Sequence, residues 1–190
     1  MPQDISTAIL MGGRSRRMGG LKKALFVRDG ISVIRRTVDL CEQGSIFLVG
    51  NEKSAYRNLG IPIFEDKVPG KGAPGALVTA LLSAQTKWVR VLACDLPCMD
   101  KKTLDGLQPM PRTDVRLYRA DGKPQYLVSL WRTEIGPELL ERVRYANLSF
   151  KDLLDGLSVD WLAADSPDPF YNMNDMESAK QMRFSPGQMV

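Results

Sequence analysis

The chain contains no histidine. That absence removes Ser-His-Asp and Cys-His hydrolases, together with the side chain that most often serves as acid or base near neutral pH. Any chemistry falls to Lys, Arg, Asp, Glu or a metal. Cysteine is scarce: Cys41, Cys94 and Cys98 form an odd set that makes no disulfide framework. Cys94 and Cys98 flank Asp95-Leu96-Pro97, but no second pair and no histidine exist to complete a zinc site. Cys94 reads instead as the apolar end of a buried strand. No apolar run approaches the length of a membrane span, and the opening Met-Pro-Gln-Asp lacks the basic-then-apolar pattern of a leader. The expected setting is cytoplasmic, with no membrane partner. The loop over residues 11–23 also lacks two nucleotide signatures, the Gly-Lys-Ser/Thr of a Walker loop and the Gly-x-Gly-x-x-Gly dinucleotide fingerprint.

What is present suits one folded domain over 1–190. Hydrophobic residues make up 44% and charged residues 25% of 190, enough for a sizeable core. The net charge of +4 fits an anionic small molecule at least as well as nucleic acid.

Periodicity predicts the elements. Residues 6–11 read as a buried strand ending in glycines. Residues 31–43 read as an amphipathic helix ended by Gly44. Strands follow at 46–49 and 61–64, the latter at an edge or strand start because of its proline. A helix is predicted over 75–85 behind Pro74, and a strand over 88–93 running into Cys94-Asp95-Leu96-Pro97. This alternation predicts an α/β fold, a mostly parallel sheet covered by helices, with ligands beyond the carboxyl ends of the strands. The second half predicts strands at 114–118 and 125–131 around a turn at Asp121-Gly122. Helices follow at 134–144 and at 149–155, the latter capped by Ser149. A short strand at 159–163 and a last helix near 176–182 capped by Asp175 complete the reading. Residues 185–190 are expected to fray.

The first strand leads into Met11-Gly12-Gly13-Arg14-Ser15-Arg16-Arg17-Met18-Gly19-Gly20, followed by Lys22 and Lys23. Glycines let backbone N–H groups approach an anion, Arg offers forked hydrogen bonds to phosphate, and Lys offers a compact charge. From the residues alone, a solvated basic loop remains an equal reading. A nucleic-acid patch is disfavoured, because no aromatic residues interleave the charges.

Leu10-Met11-Gly12-Gly13-x-Ser15-x-Arg17-Met18-Gly19, then Lys23-Ala24-Leu25, resembles the signature of the molybdenum cofactor guanylyltransferases, a family of Rossmann-like nucleotidyltransferases. Ile63-Phe64-Glu65-Asp66, Gly72-Ala73-Pro74-Gly75-Ala76, Ala93-Cys94-Asp95-Leu96-Pro97, Gln125–132 and Asn172-Met173-Asn174-Asp175 resemble further segments of that family. The departures are Met11 for a small residue, Lys22 for an acidic one, Leu77 for a glycine, Tyr126 for proline and Asp175-Met176 for Thr-Pro. They leave the phosphate and metal positions intact.

The resemblance implies a Rossmann-like three-layer sandwich. It also implies transfer of GMP from GTP to the terminal phosphate of molybdopterin cofactor, with Mg2+ as cofactor; the alternatives are another nucleotidyltransferase of the same fold, acting on CTP or a sugar phosphate, and a non-catalytic partner that binds GTP and cofactor. Molybdoenzymes or cofactor-delivery proteins are the implied protein partners. Asp95 is the implied principal metal ligand, with Asn174 a second. Lys23, Arg17 and Asp95 are the implied catalytic groups, Lys23 neutralising phosphate and Arg17 gripping the triphosphate. Leu10, Met11, Gly12, Gly13, Lys23, Asn51, Asp66 and Asp95 are implied to bind the nucleotide. Asn51 and Asp66 fall on the base side, where a carboxylate accepts from guanine's N1–H and exocyclic amine. The pair Gly12-Gly13 points to GTP, since the related cytidylyltransferases usually carry Ala-Gly there. Gln125, Arg132, Lys101 and Lys102 are candidates for the acceptor side, where a plain surface position is an equal reading of each.

Overall fold

Residues Ile5–Leu10 form β1 and are buried throughout. Ile5 and Ile9 enter one apolar core, whereas Ala8 and Leu10 enter another. Side chains alternate across a strand, so one that is apolar at both parities belongs inside a sheet covered on two faces. The computed structural model describes residues 4–11, 22–41, 46–51 and 53–187. After β1 come β2 (Val27–Arg28), β3 (Ile31–Ser32), α1 (Val33–Leu40), β4 (Ile46–Val49), β5 (Ile63–Phe64), α2 (Gly72–Ser83) and β6 (Trp88–Ala93). The chain continues through α3 (Lys101–Gly106), β7 (Val115–Ala120), β8 (Lys123–Arg132), α4 (Gly136–Tyr145), α5 (Phe150–Leu153), β9 (Val159–Ala163) and α6 (Met176–Gln181).

Among the described residues, seven strands make one sheet in the order β5-β4-β1-β6-β8-β7-β9. The pairs β5/β4, β4/β1, β1/β6 and β7/β9 are parallel; β6/β8 and β8/β7 are antiparallel. Residues of α1 and α3 join one core, and residues of α2, α4 and α5 join the other. The expected three-layer, mostly parallel architecture is therefore present.

From β1 the chain crosses through α1 to β4 on one side; through α2 it returns to β6 on the other. The strand order reverses between β1 and β6, and their last paired residues are Leu10 and Ala93. In open α/β sheets such a reversal opens a crevice beyond the carboxyl ends of the strands.

The boundaries differ in instructive ways. The helix expected at 31–43 begins at Val33, because Ile31 and Ser32 belong to a hairpin with Val27 and Arg28. Its turn, Asp29-Gly30, holds both residues at positive φ (55° and 76°), the backbone that an Asp-Gly hairpin favours. Ser32 then caps α1 by accepting from the Arg35 amide at 3.3 Å. Helix α2 starts at Gly72 and takes Pro74 into its first turn, where no donor is needed. Ser149 and Asp175 both close capping boxes, as expected of those caps. Of the residues expected to fray, Ser185 is paired, and 188–190 lie outside the described residues. Ser185 exchanges two backbone hydrogen bonds with Val27, at 2.8 and 2.9 Å.

Two measurements test this packing. A Cβ at Gly75 would lie 2.6 Å from the Val68 carbonyl oxygen. Alanine there gains about 1 kcal/mol in helix propensity but incurs about 1–3 kcal/mol of overpacking against backbone. The clash prevails, and Gly75→Ala lowers the urea midpoint. Cys94 is buried, and burial first, then the Asp95 charge, pushes its thiol up to about 12. Cys98 is only partly buried. Iodoacetamide at mildly alkaline pH therefore alkylates Cys98 well before Cys94, as read by peptide mass spectrometry.

Candidate functional site

Three side chains meet at the β1/β6 crevice. Lys23 stands on a single 3-10 turn, Lys23–Leu25, reached after β1. Its Nζ donates to Asp95 Oδ2 and to Asn174 Oδ1, each at 3.1 Å. Asp95 follows β6 by two residues and Asn174 precedes α6. The Lys23 and Asp95 side chains retain 19% and 18% of their exposure, so both are reachable from solvent yet largely desolvated.

Local structure explains the meeting. The Phe26 amide donates to the Lys23 carbonyl at 3.1 Å, and the Phe26 carbonyl accepts from Val33 at 2.9 Å. Phe26 is buried with Val33, Met173, Ala179 and Phe184 in a small third core. The Met173 amide donates to the Asp95 carbonyl at 3.0 Å, which brings Asn174 beside the aspartate. The tail closes the arrangement: Ser185 pairs with Val27, and Arg28 lies 4.7 Å over the Phe184 ring. One apolar cluster thus sets the positions of both Lys23 and Asn174.

A second cluster lies at the carboxyl ends of β4 and β5. Asn51 Oδ1 accepts from the Asp66 amide at 3.1 Å. Asp66 Oδ1 accepts from the Val68 amide at 2.9 Å and faces the Thr79 hydroxyl at 3.0 Å. Thr79 Oγ1 itself accepts from the Lys67 amide at 2.9 Å. Strands β5 and β6 are separated by three strand spacings, about 14 Å. Met11, at the end of β1, lies against the end of β4: its amide donates to the Val49 carbonyl at 2.8 Å, and a Cβ at Gly50 would come within 2.9 Å of the Met11 Cβ. Leu10 is buried at the end of β1 and faces the core with its side chain.

Gly12, Gly13 and Arg17, with Arg14 and Arg16, lie outside the described residues. The acceptor-side candidates scatter. Arg132 pairs with Trp88 at the start of β6, the end of the strand away from Asp95, where its guanidinium lies 4.6 Å over the Trp88 ring and donates to the Thr113 carbonyl. It does not join the site. Lys101 pairs with Asp105, and Lys102 with Asp165. Gln125 pairs with Tyr118 beyond Val128, the partner of Leu92, and so lies toward the site's end of the sheet. The sequence reading missed Thr79, Phe26, Met173 and Phe184. Asp29-Gly30 between apolar residues was the available signal for the hairpin behind Phe26. No local pattern ties Met173 to Asp95.

Asp95 and Asn174 offer a carboxylate and an amide oxygen converging on one cation, here the Lys23 ammonium. Such hard donors, one carboxylate completed by phosphate and water, suit a magnesium ion. No larger group of acidic or cysteine ligands occurs among the described residues. No helix among them is long and apolar enough to cross a membrane.

Known proteins agree with this architecture. A molybdenum cofactor guanylyltransferase of Serratia proteamaculans is 28% identical over 183 residues, 93% of each chain. A probable molybdenum cofactor guanylyltransferase of Carboxydothermus hydrogenoformans is 32% identical, covering 71% of this chain and 69% of the relative. The crystal structure of molybdopterin-guanine dinucleotide biosynthesis protein A from Archaeoglobus fulgidus superposes with a TM-score of 0.77 at 20% identity, over 93% of this chain and 95% of that one. The family model of the MobA-like NTP transferase domain matches residues 7–157. The site's last member, Asn174, lies beyond that match. The chain belongs to the MobA-like NTP transferase family.

Proposed function

We propose that the protein transfers GMP from GTP to the terminal phosphate of molybdopterin cofactor, releasing pyrophosphate and forming the guanine dinucleotide cofactor. The observation that carries this reading is the convergence of Lys23, Asp95 and Asn174 in the β1/β6 crevice. The names of the full-length relatives supply the substrates.

The acceptor phosphate already bears an anionic oxygen. It attacks the α-phosphorus of GTP, a new phosphorus–oxygen bond forms, and the bond to the β-phosphate oxygen breaks with pyrophosphate carrying away the electron pair. No proton must be removed from the nucleophile, which accords with a chain lacking histidine. The protein's contribution is position and charge. Lys23 neutralises charge on the reacting phosphates; Arg17 holds the triphosphate, with Gly12 and Gly13 offering backbone amides. Asp95 and Asn174 would hold Mg2+, which when bound would supply further charge neutralisation. Asn51 and Asp66 meet the base across the strand ends, and Leu10 and Met11 line the way between. Free, partly or fully buried thiols and the lack of a long apolar helix among the described residues suit a cytoplasmic reaction. Molybdoenzymes or cofactor-delivery proteins would receive the product.

With molybdopterin cofactor and Mg2+, pyrophosphate release is expected with GTP and little with CTP; equal or faster release with CTP overturns the guanine assignment. Asp95→Asn is expected to lower turnover on the order of a hundredfold or more while leaving the circular dichroism spectrum native.

A further inference from the structure

Lys23 Nζ lies 3.1 Å from both Asp95 Oδ2 and Asn174 Oδ1, so one ammonium occupies the point on which these two oxygens converge. We propose that Lys23 and the divalent cation compete for this oxygen pair, so that arrival of the metal releases the lysine toward phosphate. The proposal rests on the reading of Asp95 and Asn174 as metal ligands. It adds that Lys23 is a built-in occupant of the metal position and not only a neighbour of it.

Three features carry the inference. The first is chemical: an ammonium donates to oxygen at about 2.8–3.1 Å, whereas magnesium binds oxygen at about 2.0–2.1 Å, and both seek the same lone pairs. Two cations cannot share one point, and their repulsion is large where water is partly excluded. The second is mobility of the right group. The turn under Lys23 is fixed by Phe26, whereas the side chain is a flexible stem with one-fifth of its surface open to solvent. The anchor stays while the ammonium swings. The third is the strength of the contact. A largely desolvated pair with two charge-assisted hydrogen bonds is stronger than a surface ion pair, yet weak enough for a dication with phosphate ligands to displace.

The consequence is ordered loading of charge. Before metal arrives, Lys23 satisfies Asp95 and prevents an uncompensated carboxylate in the crevice. Afterwards the same lysine would be released from Asp95 and Asn174 and able to turn to phosphate. The site thereby couples metal binding to presentation of the phosphate-neutralising group.

Manganese binding to the nucleotide-free protein, followed by the electron paramagnetic resonance of free Mn2+, tests this without any turnover. Lys23→Met is expected to tighten Mn2+ binding roughly tenfold, the weight of a displaced charge-assisted contact. Lys22→Met removes the same charge one residue away and is expected to change affinity less than twofold. Asp95→Asn is expected to weaken binding strongly. As a second reading, acetylation of Lys23 in the wild type, followed by peptide mass spectrometry, should rise several-fold on adding Mn2+. If Asp95→Asn leaves Mn2+ affinity unchanged, the metal assignment falls and the competition with it. If Asp95→Asn weakens binding but Lys23→Met gains no more than Lys22→Met, the metal assignment stands and the competition is overturned.

Discussion

The hydrogen bond from the Met173 amide to the Asp95 carbonyl, 3.0 Å long, joins residues that are far apart in sequence. The charged crevice depends on it. Asp95 is delivered by the central sheet, whereas Asn174 comes from the chain's last tenth, beyond the segment that matches the family model. A single backbone hydrogen bond contributes only about 1 kcal/mol net and does not hold such a segment alone. The apolar cluster of Phe26, Val33, Met173, Ala179 and Phe184 does the holding. Because Phe26 is three residues from Lys23, the cluster that seats the asparagine also seats the lysine. The backbone exchange between Val27 and Ser185 closes the ring from the other side. The site is therefore assembled by burial of apolar side chains, and its charges meet as a result.

The two clusters at the strand ends differ in physical character. Around Asp66, Asn51 accepts from its backbone amide, while the Val68 amide and the Thr79 hydroxyl both meet Oδ1 of its carboxylate. Around Lys23, the contacts are side chain to side chain across long sequence separations, and largely desolvated. The first is a fixed surface; the second is a set of charges that can exchange partners. A nucleotide spanning both would meet a rigid end and an adaptable end. That division suits recognition at one end and reaction at the other, since positioning a base needs pre-organisation and transferring a phosphoryl group needs charge to move into place.

Much of this was legible in the sequence, for identifiable reasons. Strands buried on both faces announce themselves as apolar runs, so β1, β4 and β6 and their order of use were readable. Ser149 and Asp175 were readable as caps because capping is a local interaction. Asp95 was readable because a strand delivers it. What could not be read was tertiary: Ile31 and Ser32 carry helical spacing but pair with the hairpin, and the tail at Ser185 looks frayed until Val27 is seen opposite it. Arg132 looked like an acceptor contact by composition. Register decides otherwise, since pairing with Trp88 puts it a strand's length, about 17 Å, from the crevice.

The bonds already made at Asp66 limit what its carboxylate can accept. Its Oδ1 has two lone pairs, one engaged by the Val68 amide and the other facing the Thr79 hydroxyl. A base that presents two adjacent donors needs both carboxylate oxygens, one donor to each. Thr79 holds the key to this, because its single proton has a second acceptor in the Gly75 carbonyl, also at 3.0 Å. With the hydroxyl turned to Gly75, Oδ1 keeps one bond to Val68 and has a lone pair for a ligand; with it turned to Asp66, only Oδ2 remains. The rotor is buried in α2, whose first turn is pressed onto the Val68 carbonyl at Gly75. The lone pair that Asp66 Oδ1 can offer is thus linked to the Thr79 hydroxyl, and through it to the packing of the helix that returns the chain to β6.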